Sequence, residues 1–230
     1  MIPEISIVLP CLNEAATIEN CINMGLQFLR QHTVIGEIIV ADNGSSDASP
    51  EIIEKMGVKR VNVFERGYGN ALKAGIDAAC GEYIIMGDAD DSYDLLNLMP
   101  FVEKLREGYE FVIGNRFIGE IKPGAMPFIH KYFGNPFLSG LGNLLFNSPA
   151  GDFHCGLRGF RRNSLLALDL QSTGMEYCTE MIIKATKKRM KITEVPTTLS
   201  PDGRNRSPHL KTWNDGWKNL IIMLRLRLEL

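Results

Sequence analysis

Short apolar runs alternate with segments of helical periodicity through the first half of the chain. Runs of strand length lie at residues 5–9, 37–41, 58–64, 83–86 and 111–113. Between them, apolar residues recur at three- and four-residue spacing, which predicts helices ending near residues 29, 56, 80 and 105. This β-α alternation predicts a single α/β domain with an open, mainly parallel sheet and helices on both faces.

The second half is less regular. Residues 119–151 are rich in Gly, Pro and Asn and hold an amphipathic stretch, 128–146, with no obvious strand. This segment is too long for a plain connection, which favours a lid or an acceptor-binding role. Beyond it we predict a strand at 154–161, a helix at 177–188, a strand at 191–195 stopped by Pro196, and a helix from about Thr212.

Polar clusters follow several of the predicted strands. They lie at residues 10–14, 42–45, 88–94 and 115–116. The carboxyl ends of parallel strands meet at one edge of a sheet, where ligands bind. Each cluster alone is also compatible with an ordinary loop, but four on one edge indicate a binding site.

Asp88 and Asp90 carry the strongest chemical signal. Carboxylates this close repel one another unless they are solvated or share a cation. Oxygen ligands of this kind suit Mg²⁺ or Mn²⁺, which often bridge to phosphates. The alternative is a solvated acidic turn. The position after a buried strand favours a metal site for a diphosphate.

Three further features point to a nucleotide. Asp42 can accept a hydrogen bond from a nucleobase, and the segment from Pro10 to Glu14 can wrap a nucleoside. Gly67 and Gly69 resemble a phosphate cradle, although two glycines are weak evidence. Lys73, one turn later, can neutralise a phosphate or simply lie on a surface helix.

Composition and charge set limits on the partners. The chain has 230 residues, 45% hydrophobic and 23% charged, with a formal net charge of −2. This fits a globular protein and gives no general attraction to nucleic acid. Residues 181–230 hold 11 basic and 4 acidic side chains, a local charge of +7, which should face an anionic group.

The cysteines and the apolar runs indicate the compartment. Five scattered cysteines without a CxxC pair predict a reduced, cytosolic protein with buried thiols and neither a disulfide framework nor a zinc site. The N-terminal residues lack a basic signal-peptide region. No run of about 18 apolar residues is present, so no transmembrane helix is expected in the sequence given.

The motifs together resemble the nucleotide-diphospho-sugar transferases of glycosyltransferase family 2, which have the GT-A fold. The matching strings are ISIVLPCLNE (5–14), EIIVADNGSSD (37–47), GNALKAGIDAACG (69–81) and YIIMGDAD (83–90). VIGNRF (112–117), GDFHCGLRGFR (151–161), GMEYCTEM (174–181) and EVP (194–196) look like the polyprenyl- or dolichyl-phosphate hexosyltransferase branch.

The resemblance implies roles at matching positions. Nucleotide contacts are expected from Pro10, Asn13, Glu14, Asp42, Gly69, Lys73 and Ala89. The metal ligands would be Asp88 and Asp90. Lipid-phosphate contacts are expected from Arg116, Lys131, Arg204 and Arg206. The catalytic set would be Asp88, Asp90, Arg116 and Asp152. Three positions depart from the family pattern. This chain has Asn43 where family members usually carry a second Asp, and Lys131 where many carry Arg. Ser92 stands where relatives of the mannosyl branch have a metal-binding Gln.

We therefore expect an inverting, Mg²⁺- or Mn²⁺-dependent transferase that moves mannose or glucose from a UDP- or GDP-sugar to a polyprenyl or dolichyl phosphate. Residues 1–118 would form the nucleotide-sugar half, 119–211 the acceptor half with a basic loop at 201–211, and 212–230 a juxtamembrane helix. Such a protein would lie at the cytosolic membrane surface or form the cytosolic domain of an anchored protein.

Three alternatives stay open at this point. A glycan or protein hydroxyl acceptor would need a base, for which Glu180 or Asp152 are candidates. Asp152 could equally be a structural partner of Arg158. A sugar-1-phosphate nucleotidyltransferase should carry a basic glycine-rich loop after the first strand, which this chain lacks. A non-catalytic nucleotide-binding module is disfavoured by the intact Asp88 and Asp90.

Overall fold

A computed structural model describes residues 2–204 and 212–229, and it confirms a single α/β domain. The strands are β1 (Ile5–Cys11), β2 (Gly36–Asp42), β3 (Lys59–Asn62), β4 (Tyr83–Met86), β5 (Phe111–Ile121), β6 (Arg158–Arg161) and β7 (Ile192–Leu199). The helices are α1 (Ile18–Gln31), α2 (Ser49–Lys55), α3 (Tyr68–Ala78), α4 (Met99–Arg106), α5 (Asn135–Phe146), α6 (Arg162–Leu166), α7 (Tyr177–Lys187) and α8 (Thr212–Leu228).

The seven strands form one mixed sheet in the order β3-β2-β1-β4-β6-β5-β7. Only β6 runs antiparallel to its neighbours, β4 and β5; the other pairs are parallel. The helices α1, α2 and α3 connect the first four strands, because parallel strands need a crossover connection between them. Strands from both halves of the chain therefore share one sheet, and β6 brings the segment around residue 152 to the end of β4.

Successive residues of the central strands point alternately into two hydrophobic cores, one on each face of the sheet. Ile7 and Ile85 face the core that contains α1, α2 and α4. Val8 and Ile84 face the opposite core, which contains α3, α6, α7 and α8. Burial on both sides explains why the central strands are continuous apolar runs.

Several strand boundaries differ from the sequence prediction. β7 continues through Pro196 to Leu199, because it is an edge strand and has no ladder partner on one side. β5 extends beyond residue 113 to Ile121 and pairs with β7 after an irregularity, so part of the segment from 119 is strand. β6 begins only at Arg158, since residues 154–157 form a turn that leads into the sheet.

The amphipathic stretch 128–146 is helical. A π-helical turn at His130–Gly134 leads into α5. The buried side of α5 carries small residues: Ser139 Oγ accepts the amide hydrogen of Phe153 at 3.2 Å, and Gly142 lies against the Phe153 ring. Phe133, Phe137 and Leu144 face outward, whereas Leu138 and Leu141 pack partly buried against the core.

Four of the five cysteines are buried and none forms a disulfide, but Cys80 is exposed after α3, which corrects the expectation of uniformly buried thiols. Across residues 2–204 and 212–229, no helix combines the length and apolarity needed to span a bilayer.

Candidate active site

Hydrogen bonds join the loops that follow β1 and β2. Asn13 Oδ1 accepts the amide hydrogen of Ser46 at 2.7 Å, and the Asn13 amide donates to Ser45 Oγ at 2.8 Å. Asp47 accepts from the Ala15 amide at 3.0 Å and from Ser49 at the start of α2. Asn13 can adopt the positive φ of +58° that this turn requires. Asn13, one of the predicted nucleotide residues, therefore ties the loop after β1 to the loop after β2.

Asp42 is buried at the end of β2 beside an arginine that the sequence reasoning did not identify. Its Oδ2 accepts from Arg60 Nη2 at 2.7 Å, and its Oδ1 accepts from the Ser45 amide at 2.9 Å. A nucleobase bound at Asp42 would use carboxylate oxygens that already accept hydrogen bonds from Arg60 and Ser45. Pro10 lies on the neighbouring strand, paired with Ala41.

Asn43 has a structural reason to replace the Asp that is usual in the family. Its Oδ1 accepts from the Gly67 amide at 2.8 Å, while its Nδ2 donates to the carbonyl oxygens of Glu65 at 2.7 Å and Val63 at 3.3 Å. A carboxylate can only accept, so it would lose the two donated bonds. Asn43 thereby fixes the loop between β3 and α3.

The structure brings Asp88 and Asp90 together with Tyr68, which the sequence reasoning missed. Tyr68 donates to Asp88 Oδ1 at 2.8 Å. The Ser92 amide and hydroxyl donate to Asp90 Oδ1 at 3.1 and 2.6 Å. Burial, and then the charge of Asp90, raise the pKa of Asp88 to about 6. Burial and the neighbouring carboxylate therefore oppose ionisation of Asp88.

Asp88 also depends on a glycine across the sheet edge. A Cβ at Gly156 would lie 2.2 Å from Asp88 Oδ2, so only glycine lets the carboxylate occupy its place. The Gly156 amide donates to the Tyr93 hydroxyl at 2.9 Å, which fixes the backbone there. Gly156, within the GDFHCGLRGFR string, thus has a steric role beside the aspartates.

Arg204 lies beside Asp90 and Glu14. Its Nη2 is 2.8 Å from Asp90 Oδ2, and its Nη1 is 3.5 Å from Glu14 Oε1. The segment after β7 is held there by backbone bonds from Gly203 to Asp90 and from Ser200 to Ser92, both 2.9 Å. A positive side chain therefore stands where the sequence predicts a metal. Arg206 lies outside the described residues, and lipid-phosphate contact by either arginine stays a prediction.

Arg116 and Asp152 form a buried bidentate ion pair. Arg116 Nε and Nη2 donate to the two carboxylate oxygens at 2.7 and 2.8 Å. Although burial alone would raise the pKa of Asp152, the charge and hydrogen bonds of Arg116 hold it below its usual range. Asp152 is therefore paired with Arg116 and not with Arg158, which corrects one alternative.

Glu194 of β7 positions this pair through the backbone. Its Oε1 accepts from the amides of Gly151 at 2.7 Å and Asp152 at 3.2 Å, and its Oε2 accepts from Asn115 Nδ2 at 2.9 Å. The sequence reasoning used the Glu-Val-Pro string only for family resemblance. Glu194 in fact joins β5, β7 and the Asp152 loop.

The remaining predicted residues have other surroundings. The Gly69 amide donates to the Thr173 carbonyl at 2.9 Å, and a Cβ there would lie 2.5 Å from the Ser172 carbonyl oxygen. Lys73 is exposed on α3. Lys131 Nζ lies 5.5 Å from the centre of the Tyr132 ring. Phosphate contacts by these residues stay predictions.

Glu180 has a structural environment. Its two oxygens accept from the amides of Gln171 and Ser172, and Lys184 forms an ion pair with it at 2.8 Å. Burial opposes ionisation, but Lys184 and the Ser172 bonds lower the pKa of Glu180 below its usual range. Such a carboxylate is a weak base candidate.

The donor atoms at Asp88 and Asp90 fit a hard divalent cation. Two carboxylates follow a buried strand, one with a raised pKa and the other already in contact with a guanidinium. Over the residues that the structure describes, no cluster of three His, Cys, Asp or Glu side chains is found. Mg²⁺ or Mn²⁺ here would take its other ligands from phosphate and water, which is usual for Mg²⁺.

Comparisons with known proteins agree with this architecture. Residues 6–168 match the family model described as glycosyl transferase family 2. The low-salt glycan biosynthesis hexosyltransferase Agl6 of Haloferax volcanii is 37% identical over 223 residues, which cover 96% of this chain and 53% of that protein. The chain thus spans about half of that relative's length.

Two further comparisons extend the picture. A dolichyl-phosphate hexose transferase of Haloferax volcanii is 31% identical over 161 residues, which cover 69% of this chain and 68% of that protein. The crystal structure of glucosyl-3-phosphoglycerate synthase from Mycobacterium tuberculosis, in complex with Mn²⁺, UDP and glucosyl-3-phosphoglycerate, covers 98% of this chain and 80% of its own, with a TM-score of 0.74 and 24% identity. That likeness shows the fold alone. The chain belongs to glycosyl transferase family 2 and has the GT-A fold.

Proposed function

We propose that the protein transfers a hexose, with inversion, from a UDP- or GDP-sugar to the phosphate of a polyprenyl or dolichyl lipid. The reaction would take place at the cytosolic surface of a membrane and require Mg²⁺ or Mn²⁺. The relative named as a dolichyl-phosphate hexose transferase supports the acceptor class. The Mn²⁺ and UDP bound in the mycobacterial structure support the metal and a nucleotide donor.

One observation carries the proposal, namely the placement of a carboxylate pair and of a buried, paired arginine at separate positions along the same sheet edge. The carboxylates Asp88 and Asp90 follow β4, whereas Arg116 lies within β5 and its partner Asp152 lies in the loop that precedes β6. A nucleotide diphosphate with its cation suits the first group. An anionic acceptor suits the second, since Arg116 retains a nitrogen, Nη1, that Asp152 does not engage.

The state of the carboxylates favours an acceptor that is already ionised. A hydroxyl acceptor needs a base, but both oxygens of Asp152 accept from Arg116 and its pKa is lowered. Glu180 is likewise occupied by amides and Lys184. A phosphate oxygen is a nucleophile without proton removal, so positioning and charge neutralisation would be sufficient.

The residues would divide the work as follows. Asp88 and Asp90 would hold the cation, which when bound stabilises the leaving diphosphate. Pro10, Asn13 and Asp42 would line the nucleoside position. Further contacts to the donor are proposed for Glu14, Gly69, Lys73 and Ala89. Arg116, Lys131, Arg204 and Arg206 would neutralise the lipid phosphate at different stages of binding.

Exposed apolar side chains near the acceptor side support a membrane surface as partner. Phe133 and Phe137 are 62% and 63% exposed, and Leu144 of α5 is 82% exposed. α8 packs against α5 and exposes Trp217 and Leu224. A patch of this kind, rimmed by basic residues, is suited to the interface of an anionic bilayer.

A transfer assay tests the proposal directly. The protein would be incubated with Mn²⁺ and radiolabelled UDP-glucose or GDP-mannose, together with farnesyl phosphate or farnesol in vesicles. We expect label in the lipid fraction with farnesyl phosphate only, and none from Asp90→Ala. Transfer to farnesol, or to a soluble glycan with farnesyl phosphate inactive, would instead identify a hydroxyl acceptor.

A further inference from the structure

His154 lies in the loop that carries Asp152, and the contacts described so far give its ring no role. The His154 amide donates to Asp152 Oδ1 at 3.1 Å, so the start of the side chain is fixed beside the ion pair. Its Nε2 is shielded from solvent and has no hydrogen-bond partner within the described part of the chain. Buried polar atoms in folded proteins are almost always paired, so an exception calls for an explanation.

The charges around His154 indicate what would pair with it. Burial lowers the pKa of His154 to about 4; Asp152 opposes this, whereas Arg116, Arg158 and His130 add to it. The ring is therefore neutral at pH 7, with one nitrogen as donor and the other as acceptor. Since three of the four charged or titratable neighbours are basic, a negatively charged oxygen is the favoured partner.

Arg158 adds a positive charge that is held by backbone carbonyl oxygens and not by a carboxylate. It is fully buried and donates to the carbonyl oxygens of Cys155 at 2.8 Å, Cys178 at 2.7 Å and Phe153 at 2.7 Å. No ion pair to Arg158 is found in residues 2–204 and 212–229. Because Arg116 and Asp152 cancel each other, the charge of Arg158 leaves this corner of the site positive.

His130 connects the corner to the acceptor segment. It begins the π-helical turn that precedes α5, and its pKa is lowered by burial and by Arg116. The exposed apolar residues of the same segment lie on the neighbouring turns. A ligand with an anionic head and an apolar tail would therefore place its head near Arg116, His130 and His154.

We propose that His154 Nε2 donates a hydrogen bond to a phosphate oxygen of the acceptor, beside Arg116, and so selects a phosphorylated acceptor. The inference rests on the proposed function, which names the acceptor class but assigns nothing to His154. A phosphate oxygen could also belong to the donor diphosphate. The position of the ring on the acceptor loop, next to Arg116 and His130, favours the acceptor.

The experiment observes the His154 ring by ¹⁵N-¹H correlation NMR, with the signal assigned by its loss in His154→Gln. The probes are inorganic phosphate, farnesyl phosphate, and UDP with Mn²⁺. We expect the Nε2 signal of His154 to shift with inorganic phosphate and farnesyl phosphate and to stay in place with UDP and Mn²⁺. A signal that moves with none of the probes, or with UDP alone, would overturn the inference.

Binding measurements on variants provide the second readout. His154→Phe keeps a planar ring but removes the donor, and we expect farnesyl phosphate to bind at least about tenfold more weakly. His154→Gln restores an N–H and should bind within about threefold of the wild type. UDP affinity with Mn²⁺ should be unchanged in both. His32→Phe, at the exposed end of α1, is the matched control.

The outcomes separate this inference from the proposed function. A His154 shift with inorganic phosphate but not with farnesyl phosphate would support the phosphate contact and contradict the lipid acceptor. Equal weakening of farnesyl phosphate and UDP by His154→Phe would indicate a general structural role and overturn the inference. The wild-type NMR titration decides the matter even where His154→Phe fails to fold.

Discussion

The loops that follow β1, β2 and β4 and the segment that joins β5 to β6 border the same site, yet they are built differently. In the loops, polar side chains and backbone amides hold one another: Asn13 is bonded to Ser45 and Ser46, and the buried Asn43 holds the backbone of the next loop. The joining segment buries small residues and exposes large apolar ones such as Phe133 and Phe137. The first region has fixed donors and acceptors that suit a small polar ligand. The second is an exposed apolar surface of the kind that binds an apolar partner.

The difference suits the two unlike substrates of the proposed function. Polar recognition of a nucleotide needs fixed donors and acceptors, which explains the dense hydrogen bonding on the donor side. A lipid needs area and charge neutralisation more than fixed geometry. The ion pair of Arg116 and Asp152 joins β5 to the loop that precedes β6.

The largest expected effect comes from the donor side. Asp90→Asn keeps the shape and the bonds from Ser92 but removes the charge, and we expect kcat/KM to fall by about 10³-fold. Mn²⁺-dependent UDP binding, measured by calorimetry, should be lost as well. Asp94→Asn, an exposed change four residues later, is the control and should be close to wild type. A fully active Asp90→Asn would remove the distinction between the two sides.

Breaking the central ion pair should affect folding and activity together. Arg116→Ala leaves the Asp152 carboxylate buried without its partner, so we expect a loss of about 3 kcal/mol in the free energy of unfolding, measured with urea. The double variant Arg116→Met with Asp152→Leu should recover part of that stability but none of the activity. Recovery of both would show that the pair is only structural.

Gly156→Ala tests whether the acceptor half positions a donor-side carboxylate. The new Cβ would lie 2.2 Å from Asp88 Oδ2 and must displace it. We expect Mn²⁺-UDP to bind about tenfold or more weakly, because small displacements of site groups have large effects. Gly140→Ala is the matched control, since a Cβ there meets no atom within 4 Å. Equal behaviour of the two variants would contradict the steric role.

The raised pKa of Asp88 predicts a pH-dependent cost to stability in the metal-free protein. Its pKa is about 6 in the folded state against an ordinary value of 3.8, so ionisation destabilises the fold above pH 6. This cost disappears as the pH falls through 6 toward 4. In EDTA at pH 7.5, Asp88→Asn should therefore raise the free energy of unfolding by about 1–2 kcal/mol.

The control is the same comparison at pH 4.5, where the gain from Asp88→Asn should shrink. A gain of the same size at both pH values would mean that the ionised carboxylate carries no penalty. Urea unfolding followed by circular dichroism measures both.

The smallest effect is expected on the apolar surface. Phe133→Ser removes one exposed ring, and we expect partitioning onto anionic vesicles to weaken about fivefold with stability almost unchanged. Phe64→Ser is matched, because Phe64 is 94% exposed after β3, at the opposite edge of the sheet. Co-sedimentation with vesicles measures both variants. Equal losses would remove the special role of the acceptor segment.

Much of the fold was predictable, because burial on both faces makes the central strands continuous apolar runs. Boundaries were wrong where a neighbour decides them: Pro196 is tolerated only because β7 lies at the edge, and β5 extends because β7 pairs with it. Periodicity along one segment carries no information about such partners.

The site was predictable in its charged residues but not in their pairing. Asp88, Asp90, Arg116 and Asp152 were identified from motifs, yet the bond between Arg116 and Asp152 joins residues 36 apart. Glu194 and His154 were missed as site residues because their positions depend on β6 and β7 joining the sheet. Tyr68 was missed because its bond to Asp88 joins α3 to the loop after β4. A polar residue beside a strand end is the one sequence signal that could have identified Glu194.

The most direct test follows the phosphorus atom of the acceptor by ³¹P NMR during turnover with farnesyl phosphate, Mn²⁺ and UDP-glucose or GDP-mannose. The account predicts that the monoester signal is replaced by a phosphodiester signal as an equal amount of nucleoside diphosphate appears. Release of nucleoside diphosphate with the monoester signal unchanged, and the hexose recovered on a hydroxyl group, would contradict it.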